Sequence, residues 1–157
     1  MVLEPANNST LTQSNQLNID WTLLSEWEAE QLQLALSYCE RHSWHVLAVS
    51  DEQTRTLEPA LSVWQFTVNQ HSTTKRIWLI SGDLPTLSLP FKAAATAREA
   101  LLAFSRQYLF LARQLKQAAQ AENKQPSDEV KLRMQENVKA AADLLVLYHE
   151  NELWLEE

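Results

Sequence analysis

Cys39, His42 and His45 are the residues whose types and spacing come nearest to a reactive set. A thiol and two imidazoles at spacings of three could give a zinc ion three ligands and leave a fourth position open, as in a catalytic site. The plainer reading is a helix end with a buried thiol and two solvated imidazoles. It is favoured because no carboxylate is specified to hold either ring from behind, and His45 already falls where a strand can begin. Cys39 with a histidine could also make a thiol nucleophile. It sits among apolar helical positions, however, which fits a small buried hydrophobe. No metal and no cofactor is expected.

A second set lies around the only glycine. Asp83 follows Gly82 at the end of a strand, where scaffolds often present functional side chains. As a site residue, Asp83 would be a base or a ligand anchor. As a turn residue, it would bond its own backbone, and this is the favoured reading. Gly82 is expected to take a positive φ or to permit close backbone approach. Trp78 stands on a mixed strand face, with Arg76 two residues away and able to lie on its ring. They are candidates for a ligand or partner contact; for Trp78 the alternative is packing under a neighbouring element. Arg98 sits at a helix start that could receive an anion. With Arg106, Arg113 and Lys116 it could form a basic patch, or a solvated salt-bridged face.

The elements that must position these residues read as follows. Ser25-Glu26-Trp27-Glu28 fits a capping box, opening a helix that ends near Arg41 to Ser43. Its apolar stripe is Trp27, Leu34, Ala35 and Tyr38, widened by Leu32, Leu36 and Cys39. A short strand is expected at His45 to Ser50, and a polar connection from Asp51 to Pro59. Leu61 to Val68 and Lys75 to Ser81 are strands rich in aromatic and β-branched residues, joined by a polar loop, Asn69 to Thr74. If Val68 pairs with Lys75, then Phe66 faces Ile77 and Trp64 faces Leu79 on a core side. Gln65 then faces Trp78, and Thr67 faces Arg76, on the mixed side.

A second capping box at Thr96-Ala97-Arg98-Glu99 opens a helix to about Ala121, and Ser127 caps a third. The third carries Val130, Met134, Val138, Ala141, Leu145 and Tyr148. The two are expected to form an antiparallel hairpin in which Leu111 meets Val138, Tyr108 meets Ala141, Phe104 meets Leu145 and Leu101 meets Tyr148. That register also brings Arg113 to Glu136 and Arg106 to Asp143. Trp154 is expected to staple the tail. The expected fold is α+β: a small antiparallel sheet of two to four strands, an N-terminal helix and a C-terminal helical hairpin. Residues 1–18, rich in Asn, Gln, Ser and Thr, are expected to be a disordered lead-in, and residues 19–157 a single domain.

Composition narrows the chemistry. One glycine in 157 residues, where average usage would give about eleven, excludes the Walker loop and the dinucleotide fingerprint. A lone cysteine rules out an intrachain disulfide and suits a reducing compartment. No apolar run approaches the ~18 residues that span a bilayer, and the N-terminus does not read as a signal peptide. A cytoplasmic setting without a membrane partner is expected. The net charge is −7. It is uneven: residues 1–58 hold 2 Lys/Arg and 9 Asp/Glu, residues 59–124 hold 8 and 3, and residues 125–157 hold 3 and 8. An acidic whole argues against nucleic acid.

The block Trp78-Leu-Ile-Ser-Gly-Asp-Leu-Pro-Thr86, the stretch from Pro59 to Trp64, the helix start Ala97-Arg98-Glu99 and the late Leu147-Tyr148 and Leu153-Trp154 resemble a family of small uncharacterised bacterial proteins. That family is known only as a domain of unknown function, with a Trp-x-Ile-[Ser/Thr]-Gly-Asp-Leu-Pro-Thr block. Leu87 stands where its members often carry a polar residue. The resemblance covers residues 20–155 and implies a bacterial source and a shared fold, but no activity. The function is therefore unknown. The leading expectation is a non-enzymatic binding protein with a protein partner or a homodimer. The alternatives are a small-molecule binder or small enzyme with a pocket near Gly82-Asp83, and an immunity or antitoxin-like protein.

Overall fold

Ser25 opens the first helix by local chemistry. Its hydroxyl accepts from the Glu28 N–H at 3.0 Å, and the Glu28 carboxylate accepts from the Ser25 N–H at 2.9 Å. This reciprocal cap satisfies two donors that a helix start leaves orphaned. The helix, α1, runs Glu26–Arg41. It ends where Ser43 takes a left-handed φ of 60° and turns the chain into strand β1, His45–Val49. The computed structural model describes residues 17–123 and 125–155. The chain divides into two compact units between Lys92 and Ala93.

Among the described residues, the first unit holds five strands rather than two to four: β1, β2 (Arg55–Leu57), β3 (Leu61–Gln70), β4 (Thr73–Gly82) and β5 (Leu87–Pro90). All neighbours are antiparallel, in the order β1-β3-β4-β5, with β2 pairing the start of β3. β2 lies inside the stretch read as a polar connection. It has three residues and is ordered by its partner rather than by any alternation of its own. A bulge between Val46 and Ala48 lets β1 slip past β3 by one residue.

The register of β3 on β4 is the expected one: Val68 opposite Lys75, Phe66 opposite Ile77, Trp64 opposite Leu79, Gln65 opposite Trp78. One face packs Trp64, Phe66, Val68, Ile77 and Leu79 with Leu32, Ala35, Leu36 and Cys39 of α1. Leu34, placed in the α1 stripe above, is instead 51% exposed. The opposite face is not mixed along its length: Val63, Gln65, Trp78 and Ile80 are buried too. Most of the lead-in lies outside the described residues. Its last two residues are held: Leu17 joins the core, and the Asn18 side-chain amide donates to the Val49 carbonyl and accepts from the Val49 N–H.

The second unit is a pair of helices, α2 (Ala97–Ala121) and α3 (Asp128–Tyr148), capped by Thr96 and Ser127. They pack antiparallel, and hydrogen bonds tie them. The Ser105 hydroxyl donates to the Ala141 carbonyl at 2.8 Å, and Arg98 Nε donates to the Tyr148 carbonyl at 2.9 Å. These ties fall one turn nearer the start of α2 than the expected pairs, Tyr108 with Ala141 and Leu101 with Tyr148. The buried α3 stripe is also rotated. Asn137 and Leu144 are buried where Val138 and Leu145 were expected, and Val138 is 49% exposed. Alternating steps of three and four fit either phase, so periodicity alone could not choose between them. Two ion pairs lie within α3: Arg133 with Glu129, and Lys139 with Asp143. Asp143 is thus taken by Lys139 rather than Arg106.

The β3–β4 turn is tighter than the expected six-residue loop. The strands run to Gln70 and Thr73, leaving His71 and Ser72 with φ of 50° and 69°. Two left-handed residues make the turn whose twist matches that of the strands, and it favours Asn-Gly. We expect His71→Asn with Ser72→Gly to stabilise the fold by about 1 kcal/mol, read as a higher midpoint in urea unfolding.

Candidate functional site

The site grows from the hairpin end of β4, where neighbouring cations fall on opposite faces of the sheet. On one face, Lys75 Nζ lies 4.6 Å from the centroid of the Trp44 ring. Trp44 is held there by its indole N–H, which donates to the Gln70 side-chain carbonyl at 3.3 Å, and by stacking on His42 at 5.0 Å. His42 in turn stacks on Tyr38 at 4.2 Å, and its Nδ1 meets the Tyr38 backbone carbonyl at 2.9 Å. The Tyr38 hydroxyl reaches Ser88 on β5 at 3.1 Å. The left-handed Ser43 is what points Trp44 back over this face.

On the other face, Arg76 Cζ lies 4.1 Å from the centroid of Phe91. Phe91 stacks on Trp78 at 5.5 Å, and the Trp78 indole N–H donates to the Phe91 carbonyl at 3.0 Å. Phe91 opens a short 3₁₀ turn, Phe91–Ala93, immediately after β5. Around these residues is an open groove of ≈ 660 Å³, lined by Trp44, Lys75, Arg76, Ile77, Ser88, Leu89, Pro90, Phe91 and Lys92. Three of those residues are cations and none is an acid. Among the described residues, none of the three cations makes an ion pair with a carboxylate. Lys75 and Arg76 rest instead on aromatic faces, where each contact contributes roughly 0.5–1 kcal/mol and leaves the charge unneutralised.

The expected site residues separate. Arg76 lines the groove. Trp78 is fully buried, so it positions Phe91 and presents no surface of its own. Gly82 and Asp83 lie at the other end of β4, about 20 Å along the strand from Arg76. The Asp83 N–H donates to the Ala60 carbonyl at 3.2 Å, closing the end of the sheet. Arg98 belongs to the second unit. Its guanidinium binds the Tyr148 carbonyl and the Asn151 side chain, and lies over the rings of Tyr148 and Trp154. A cation on a last-turn carbonyl suits the negative end of α3. The Trp154 indole donates to the Leu147 carbonyl at 3.0 Å.

Trp44, Lys75, Phe91 and Lys92 line the groove but are not among the candidates that the sequence offers. Lys75 was visible only as the neighbour of Arg76, and Phe91-Lys92 followed a strand that had not been assigned.

Cys39 is fully buried in the first core, and burial pushes its thiol from an ordinary 9.0 up to about 12. No group of three or more His, Cys, Asp or Glu that could hold a metal is found among the described residues. Because the folded value lies above the unfolded one, the thiol's contribution to stability is whole below about pH 9 and is lost as pH rises towards 12. Ellman's reagent at pH 8 should therefore leave the native protein unlabelled and react with one thiol on unfolding. Fast labelling of the native state would contradict the burial.

Gly82 has a φ of 144°, and a Cβ there would stand 2.5 Å from the Ala60 carbonyl oxygen and 2.6 Å from the Leu61 Cα. Both neighbours are backbone and cannot swing aside. Gly82→Ala should cost about 3 kcal/mol in denaturant unfolding.

The family described as Domain of unknown function (DUF4826) matches residues 22–154. No curated protein and no solved structure matches the chain.

Proposed function

The chain belongs to the DUF4826 family, and we propose that it is a non-enzymatic binding protein whose groove around Arg76 receives an anionic protein partner. The observation that carries this reading is the charge of the groove. Lys75, Arg76 and Lys92 stand together, without a carboxylate among the lining residues, on a chain whose net charge is −7. A positive surface focuses anionic ligands and raises their rate of encounter.

The rings that carry Lys75 and Arg76 are themselves fixed by the Gln70 and Phe91 bonds, so the cations are held ready before a partner arrives. The lining residues include no histidine and no carboxylate to serve as a base for the Ser88 hydroxyl, which instead meets the Tyr38 hydroxyl, and this favours binding over catalysis. Asp83 is read as a sheet-end residue, because its backbone makes the tie to Ala60 and Gly82 supplies the space for it. The Trp78–Thr86 block then serves as a fold signature of a bacterial, cytoplasmic family. The family match crosses both units, which supports treating residues 19–157 as one domain.

A pull-down from a bacterial lysate tests the reading. Wild-type protein and a Lys75→Glu, Arg76→Glu, Lys92→Glu variant serve as baits. All three side chains are exposed, so the variant is expected to fold, with circular dichroism as the check. We expect partners captured by the wild type to be lost. Equal recovery by both baits would remove the groove from function.

A further inference from the structure

We propose that the occupant of the groove is an extended acidic segment of a partner protein, added as a strand along the open edge of β4, with neighbouring carboxylates against Lys75 and Arg76. This rests on the binding role of the groove and names what fills it.

The backbone supplies the first half of the argument. β4 pairs with β3 along its full length, from Gln70 opposite Thr73 to Leu61 opposite Gly82. β5 covers the other side of β4 only from Ile77, opposite Pro90, to Ile80, opposite Leu87. Among the described residues, Thr73 to Arg76 therefore have a strand on one side only. After Pro90 the chain leaves the sheet into the 3₁₀ turn at Phe91, and the groove opens where β5 stops. An unpaired edge is a template for another strand, and an extended peptide can take it by main-chain bonding.

The side chains supply the second half. Lysine on an edge normally discourages strand addition, because a neutral chain would strand the charge. The same charge admits an acidic chain selectively. Successive residues of a strand point to opposite faces. Lys75 and Arg76 do so, one over Trp44 and the other over Phe91. An added strand with two consecutive Asp or Glu residues meets both cations at once, each across the edge on its own face. Ile77, Leu89 and Pro90 offer an apolar floor for the side chain that follows. A nucleic acid fits less well: its dense charge calls for many Lys and Arg, and a net charge of −7 opposes its approach.

The test titrates the full chain with a labelled decapeptide centred on Glu-Glu-Leu-Glu-Glu. The comparison probes are the same peptide with alternate backbone nitrogens methylated, a Lys-for-Glu copy, a single-stranded oligonucleotide of equal charge, and inorganic phosphate. The acidic peptide should bind, more weakly as salt rises. Methylation, which blocks strand pairing but keeps the charges, should weaken it at least tenfold, about 1.4 kcal/mol. Lys75→Glu with Arg76→Glu should lose the acidic peptide and gain the Lys copy. Equal binding of the methylated peptide overturns strand addition. Binding of the oligonucleotide or phosphate without the peptide overturns the ligand class while the groove keeps its binding role. If no probe binds, the inference falls, and the pull-down above decides separately whether the groove falls with it.

Discussion

The ladder between Leu61–Gln70 and Thr73–Gly82 is the constraint on which the first unit depends. Ten consecutive pairs leave the hairpin a single register, and a slip of one residue would move every side chain to the other face. The register places Trp64, Phe66, Ile77 and Leu79 against α1, and Trp78 and Ile80 on the opposite face. Both ends of the ladder are set by backbone geometry that side chains tolerate poorly. At one end, His71 and Ser72 turn the chain through left-handed conformations; at the other, Gly82 lies against Ala60 with no room for a Cβ. The proposed site follows from the same register. Because Lys75 and Arg76 are adjacent on β4, they cannot share a face, and each finds its own aromatic ring.

Those rings explain how three cations remain together in one groove. Ion pairing with carboxylates would spend their charge within the fold. Stacking on Trp44 and Phe91 keeps two of them in place while leaving the charge available to an incoming anion. Trp78 contributes from inside. Fully buried and bonded to the Phe91 carbonyl, it fixes the ring on which Arg76 rests. A residue anticipated as a contact is thus a support for one.

Legibility followed the range of the interaction. The caps at Ser25, Thr96 and Ser127 need only residues within four positions, and all three are present. The β3–β4 register needs only a hairpin with strongly apolar strands. β2 and β5 were invisible, since strands of three and four residues carry no periodicity and exist because β3 and β4 offer edges to them. The phase of α3 was unreadable for a related reason. Val138 and Asn137 both satisfy a helical stripe, and only packing chose the asparagine. The charge-matched register of the helical hairpin failed because exposed pairs contribute little, and a local i,i+4 partner was nearer for Asp143.

Near neighbours and composition were enough to set the helix starts, the hairpin pairing and the burial of Cys39. Packing between distant segments was needed to bring Trp44, 31 residues before Lys75, beneath it, and to set Phe91 between Trp78 and Arg76. Those contacts join parts far apart in the chain through a sheet whose edge strand has no signal of its own. The groove exists only where β5 ends short of β4, and no local pattern of residues records the length of a neighbouring strand.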